Sequence, residues 1–515
     1  MENSKSVGLA EKIKDETFDM DIEEIRKLGY QAVDLMVDYF QNIPKETILP
    51  DKTLDQMKKI LYEPLPQNGK DPLLVLDECQ EKIIENAVRV GSPRFLGWIL
   101  ASGTPIGAFA DGISSAINQN VAISGSGMAT ATELLVLDWI KEILGYDIKS
   151  GGILVSGGSI ANLSALAVAR NVKADFDVRT FGMKQGKNMI LYVSKEVHVC
   201  IPKAANLLGI GTNNVRMVNL DDSFRMDIND LEKKIIEDKK SDKHPIAVVA
   251  TAGTVNTGAI DPLDDIANIC QKYNLWFHVD AAYGGFATLS QESNHLFNGL
   301  KQADSIVVDP HKWLFMPYEA GCVLVKNPSH LTETFSMKTD YLHIDNDKKI
   351  SFTDVDFSDY GIQLSREFRA LKIWMSLKVY GIKRYEQIIN QNILLSKYIE
   401  ALIAESDDFI IESPANLSIV CFRYVPKNLL EEYSQASLLQ KDKFNTYFNS
   451  LNKSILTEMR LDGRGLLSST SLHGKYVLRS CIVNYRTKKS DIVKILEIVR
   501  NIGYKKDSEL RSKLL

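Results

Sequence analysis

Apolar positions recur at helical spacing through residues 21–43. Ile22, Ile25, Leu28, Ala32, Leu35, Met36, Tyr39 and Phe40 share one face, and Pro44 ends the run. A helix with a single apolar stripe is not stable alone, so it predicts docking on the body of the protein or on a second subunit. Connections containing Pro44, Pro50, Pro64 and Pro66 follow, and then a second helical stretch over residues 72–90. From about Thr132 the period changes. Short apolar, β-rich runs at 153–155, 189–193, 246–250, 275–279, 305–308 and 322–325 alternate with helical segments such as 133–144, 160–170 and 263–273. That alternation predicts an α/β fold with a mostly parallel sheet covered on both faces.

Beyond about Ile388 a helix, a strand at 417–424, further helix, a strand at 475–483 and a closing helix at 489–502 predict a smaller α+β domain. The expected organisation is an N-terminal helical segment (1–90), a large domain (91–387) and a small C-terminal domain (388–515). Residues 335–359 break the pattern, being polar and weakly periodic; a stretch of this kind is either disordered or a lid.

Composition narrows the classes. At 515 residues, 45% hydrophobic and 25% charged, the chain has enough apolar content for a large core. A net charge of −5 argues against nucleic acid as the main partner. The N-terminus lacks the apolar segment of a signal peptide, and no run is long enough to span a membrane. Six cysteines lie far apart, without metal-binding spacing, so reduced thiols in a cytoplasm are expected.

The candidate chemistry lies just past the apolar runs, where open α/β sheets bind ligands. Lys312 sits in Asp309-Pro310-His311-Lys312-Trp313, and Asp280 ends Phe277-His278-Val279-Asp280. A lysine for an aldehyde and a carboxylate for a ring nitrogen, at neighbouring strand ends, point to pyridoxal 5'-phosphate. Asp280 also reads as a buried loop cap. The segment Val155-Ser156-Gly157-Gly158-Ser159-Ile160 is strand, glycine turn and helix start, which suits a phosphate; a tight turn capped by Ser159 is the simpler alternative. No lysine follows the turn, which disfavours a P-loop. His198 and Thr254 also follow strands. Stacking on a planar cofactor suits His198, while an ordinary packed or surface role suits either residue.

Together these residues, with His278-Val279-Asp280-Ala281-Ala282-Tyr283-Gly284, Pro310-His311-Lys312-Trp313 and Arg366-Glu367-Phe368-Arg369-Ala370-Leu371-Lys372-Ile373-Trp374, resemble the group II pyridoxal-phosphate-dependent amino-acid decarboxylases of the aromatic-L-amino-acid and histidine type. The resemblance covers roughly residues 21–502 and implies the type I aminotransferase-like fold. It implies that Lys312 holds the aldehyde, Asp280 pairs with the ring nitrogen, and Ala282 and His198 flank the ring. Gly158, Ser159 and His311 would hold the phosphate, with Thr254 and Asp309 also at the cofactor. Tyr341 would protonate the substrate Cα with help from His198. The lid would close over the neighbouring subunit, implying a homodimer.

Asp309 stands where many relatives carry Asn, and a carboxylate there would repel a phosphate dianion. The expected substrate wall comprises Trp98, Ile99, Val121, Ile123 and Ser365. Trp98 and Ile99 replace a Tyr and a Phe of the family pattern, and Ser365 hints at a smaller ring. An aromatic amino acid is the expected substrate, with histidine the alternative. An aldehyde synthase on the same fold typically carries Phe at position 341. An aminotransferase would need an arginine for the α-carboxylate, and Arg366 is the motif-linked candidate. A non-catalytic binding protein does not need an intact Lys312, Asp280 and Tyr341.

Overall fold

The computed structural model describes residues 10, 12–14, 17–122, 126–184, 186–337 and 355–514. Tyr341 and Ile123 lie outside the described residues. By compactness the chain divides into two units, Met1–Val88 and Arg89–Leu515. The first contains the helix Ile22–Asn42, capped by Asp21, whose side chain accepts from the Glu23 N–H at 2.9 Å. None of this helix's residues is buried. The stretch expected as one helix over 72–90 is an α-helix Pro72–Cys79 that widens into a π-turn at Gln80–Ile84.

The second unit holds two sheets. In chain order the strands are β1 (Phe95–Leu96), β2 (Gly151–Val155), β3 (Met189–Ser194), β4 (Val215–Val218), β5 (His244–Thr251), β6 (Trp276–Asp280), β7 (Ser305–Val308), β8 (Gly321–Val325), β9 (Phe409–Asn416), β10 (Ile419–Tyr424), β11 (Leu466–Leu472) and β12 (Lys475–Cys481). Seven form a sheet in the order β2-β8-β7-β6-β5-β3-β4, with β8 antiparallel to both neighbours and the other pairings parallel. Strands β2, β3, β6, β7 and β8 are buried along their whole length, which is why they read as largely apolar runs, interrupted in β6 by His278 and Asp280.

The smaller sheet runs β1-β11-β12-β10-β9. Its first strand comes from far upstream: Phe95 and Leu96 pair in parallel with Leu466 and Leu467. Residues 91–99, expected to open the large domain, are thus fastened to the C-terminal sheet. Arg94 Nε donates to the Arg464 carbonyl at 2.7 Å, and the Asn484 amide and Thr487 hydroxyl donate to the carbonyls of Ser92 and Pro93, each at 2.8 Å.

In the large sheet, Asp280 lies opposite Val307 in register, one residue short of the turn that carries Lys312. The chain leaves β7 through Asp309 into the short helix Pro310–Trp313, with proline at its first position. The Asp280 and Lys312 loops therefore emerge at the same carboxyl edge.

Candidate active site

A cavity of about 510 Å³ opens at that edge, and Gly158, Ser159, His198, Asp280, Ala282, Asp309, His311 and Lys312 all line it. One side is the start of the helix Gly158–Lys173, which no side chain caps. Its free N–H ends make it an anion seat. Close approach requires glycine here. A Cβ on Gly158 would meet Asp309 Oδ2 at 2.8 Å, and one on Gly157 would meet His311 Cε1 at 3.0 Å. The expectation of Ser159 as the helix cap is not met, because the cap position is Gly157.

Lys312 Nζ lies 3.0 Å from Asp309 Oδ2. Burial works against its ammonium form, but Asp309 and Asp280 outweigh it and hold the Lys312 pKa above its ordinary value. Asp309 is 1% exposed, and its Oδ1 has no hydrogen-bond partner among the described residues. His311 accepts from the Ala320 N–H at 3.1 Å through Nδ1 and packs against Tyr318 with ring centroids 4.5 Å apart. Burial lowers the pKa of both His311 and His198, which favours the neutral rings, although Asp309 and Asp280 respectively oppose the shift. His198 Nδ1 accepts from the Cys200 N–H at 3.3 Å.

Asp280 is buried, and each of its oxygens has one partner. Its Oδ1 accepts from the Ala282 N–H at 3.1 Å and its Oδ2 from the Asn162 amide at 3.0 Å. Thr254 does not line the cavity. Its hydroxyl bonds Thr257 at 3.0 Å and accepts from the Ala259 N–H at 3.2 Å, inside its own loop. Thr251, at the end of β5, lines the cavity instead.

Of the expected substrate wall, Trp98 and Ile99 line the cavity. Val121 is buried in the hydrophobic core, with its N–H donating to the Arg366 carbonyl at 2.9 Å, and Ser365 is exposed. Neither lines this cavity. Arg366 is not a substrate arginine. It is 3% exposed, pairs with Glu133, donates to the Leu154 carbonyl at 2.9 Å and lies 4.6 Å over the Phe357 ring.

The arginine of the cavity is Arg479, which sequence reasoning passed over as part of a strand. It is 2% exposed and donates to the carbonyls of Asn256 and Trp98, each at 3.2 Å, and to the Ser468 hydroxyl at 3.0 Å. Its Nη2 has no hydrogen-bond partner among the described residues. A charge inside the apolar run Val477–Val483 was the available signal.

These features fit pyridoxal phosphate: an uncapped helix start for the phosphate, a lysine amine for the aldehyde, and a buried, donor-supported carboxylate for the ring nitrogen. The comparisons agree. Residues 55–425 match the family described as the pyridoxal-dependent decarboxylase conserved domain. The chain is 35% identical to an aromatic-L-amino-acid decarboxylase of Bacillus atrophaeus over 95% of its own length and 97% of the relative's. It is 30% identical to a phenylacetaldehyde synthase of a Rosa hybrid cultivar over 94% of each chain. The crystal structure of Catharanthus roseus tryptophan decarboxylase in complex with L-tryptophan aligns with a TM-score of 0.84 at 26% identity, covering 95% of this chain and 100% of that one. A family match across most of the chain, with Lys312 and Asp280 facing one cavity, means that this protein belongs to the pyridoxal-dependent decarboxylases.

Proposed function

We propose that the protein removes the α-carboxylate of an aromatic L-amino acid as carbon dioxide and releases the amine. The observation that carries this reading is the convergence of Lys312, Asp280 and the uncapped helix start on one cavity with Trp98 and Ile99 at its rim. When bound, pyridoxal phosphate supplies an electron sink for the bond pair left by the departing carbon dioxide. Lys312 would hold it covalently, Asp280 would keep a proton on its ring nitrogen, and Ala282 and His198 would flank its ring. Gly158, Ser159 and His311 would hold its phosphate.

The apolar surface of Trp98 and Ile99 orients an aromatic side chain and keeps water from the reacting carbon. Tyr341 is the proposed proton donor to the substrate Cα. His198, whose burial favours the neutral ring and whose Nδ1 accepts from the Cys200 N–H, would assist through its other nitrogen. Tyr341 also favours amine release over the aldehyde chemistry named for the rose relative.

The same reading includes a homodimer in the cytoplasm. The apolar positions Ile22, Ile25, Val33, Met36 and Val37 of the first unit's helix are unburied, and a second copy is the partner proposed to cover them. All six cysteines are free, and among the described residues no helix is long and apolar enough to cross a membrane.

The test is an assay of amine and carbon dioxide over tryptophan, phenylalanine, tyrosine, Dopa, histidine and aliphatic amino acids. The expected result is stoichiometric release of both products from an aromatic substrate. Release from aliphatic substrates only, or an aldehyde in place of the amine, would overturn the proposal.

A further inference from the structure

Behind Asp280 lies a chain of buried polar side chains that the decarboxylation scheme does not use. Trp276 Nε1 donates to Ser305 Oγ at 2.8 Å. Ser305 Oγ lies 2.8 Å from His278 Nδ1, and His278 Nε2 lies 2.7 Å from Asn162 Oδ1. The Asn162 amide then donates to Asp280 Oδ2 at 3.0 Å and to Cys200 Sγ at 3.4 Å. Trp276, Ser305, His278 and Asn162 are each no more than 2% exposed.

An ionised Asp280 at one end fixes the direction of the links back to Ser305, and the indole at the other end is compatible with that direction. An indole N–H only donates and an ionised carboxylate only accepts. Asp280 therefore requires the Asn162 NH₂ to face it, which turns Asn162 Oδ1 toward His278. His278 must carry its proton on Nε2 and accept on Nδ1. Ser305 then donates to His278, leaving its oxygen for Trp276. The Trp276 N–H needs only an acceptor, which the Ser305 oxygen supplies in this arrangement. Burial also favours the uncharged ring, pushing the His278 pKa down to about 4 although Asp280 opposes this.

We propose that Trp276, Ser305, His278 and Asn162 form a one-way relay of positioning residues that holds Asp280 ionised, so that the proton it shares with the cofactor's ring nitrogen stays on the ring. The inference rests on the reading that Asp280 faces that nitrogen. The physical reason is a competition. A buried carboxylate beside a pyridine tends to take the shared proton and leave two neutral groups. Donors from Asn162 and the Ala282 N–H favour the carboxylate and tilt the proton back to the ring. If the relay ran the other way, Asn162 would present its oxygen to Asp280, and the carboxylate would need a proton to accommodate it.

The test uses the full-length protein loaded with pyridoxal phosphate labelled with ¹⁵N in the ring, whose chemical shift reports ring protonation without turnover. Wild type is expected to show a protonated ring. Asn162→Leu is expected to shift the signal strongly toward the unprotonated form, and Ser305→Ala, three links back, partway. In turnover, kcat is expected to fall ~100-fold and ~10-fold respectively, with KM changed less than about twofold. Ser305→Thr, which keeps the hydroxyl, should restore the wild-type spectrum. In the protein without cofactor, His278 should show a protonated Nε2 and a bare Nδ1 between about pH 6 and 9.

Ring protonation unchanged in Asn162→Leu but altered in Asp280→Asn would overturn the relay alone. Ring protonation unchanged in Asp280→Asn would overturn the placement of Asp280 beneath it. Equal loss in Ser305→Ala and Ser305→Thr would reduce the chain to packing. Ser305→Ala is the smaller change and keeps the question answerable if Asn162→Leu folds poorly.

Discussion

The cofactor side and the substrate side of the cavity are built differently. On the cofactor side the groups for the aldehyde, the ring nitrogen and the phosphate sit at or just past the end of a buried strand or at the start of a helix, while His198 lies in the loop after β3. Asp280 closes β6, Lys312 follows β7, and Gly158 opens a helix just beyond β2. On the substrate side the wall comes from the segment after β1, with Trp98 46% exposed and at positive φ. Chemistry held on rigid elements with satisfied hydrogen bonds keeps its geometry, whereas a wall of connecting segments can change shape without disturbing it. On the proposed reading the reaction is set by one half of the cavity and the choice of amino acid by the other.

The largest expected effect attacks the cofactor side. Lys312→Ala should lose the visible absorbance of the bound cofactor and lower turnover by ~1,000-fold or more, read by spectrum and carbon dioxide release. Tyr341→Phe should leave cofactor absorbance intact and, in air-saturated buffer with dioxygen as the oxidant, divert product from amine toward aldehyde and ammonia; an unchanged amine yield would remove Tyr341 as the proton donor.

A subtler test concerns Asp309. The neutral Lys312 amine is the form that reacts with an aldehyde, and Asp309 and Asp280 hold its pKa above normal against the effect of burial. Cofactor capture by the cofactor-free protein should therefore speed up as pH rises toward that raised pKa. Asp309→Asn should shift the rise to lower pH and accelerate capture at neutral pH by roughly tenfold, measured by stopped-flow absorbance. The smallest effect belongs to the rim. Trp98→Ala should leave cofactor binding unchanged and alter the preference between aromatic substrates by about 1–3 kcal/mol in kcat/KM.

The two halves were also unequally legible in the sequence. Strands β3, β5 and β7 announce themselves through apolar runs, and β6 through one broken at His278, because both faces are covered, and the rule that ligands sit past strand ends then locates Asp280 and Lys312. Strand β4, Val-Arg-Met-Val, is short, half-buried and at the edge, so it carries little pattern. Strand β11, Leu-Leu-Ser-Ser-Thr-Ser-Leu, lacks a continuous apolar run. The bond between Asn162 and His278 joins residues 116 apart, a contact that no local period reports. Val121 follows the apolar composition of a pocket wall, yet the same composition serves the core, and Arg366 draws it inward. Arg479 was invisible for the opposite reason: its strand was recognised by its apolar neighbours, and its charge was read past.

The fastening of residues 92–98 to the C-terminal sheet has a consequence for anyone redesigning this protein. Arg94, Ser92, Pro93 and Trp98 are bonded through their backbone or side chains to Arg464, Asn484, Thr487 and Arg479, and Leu96 pairs with Leu467. A substrate loop grafted from a relative would arrive without the surface it was shaped against. Exchanging residues 92–99 together with 464–487 transplants the seam whole, whereas exchanging either half leaves its edge mismatched. On the proposed reading, substrate preference in this chain is a property inherited by two distant stretches of sequence as a pair.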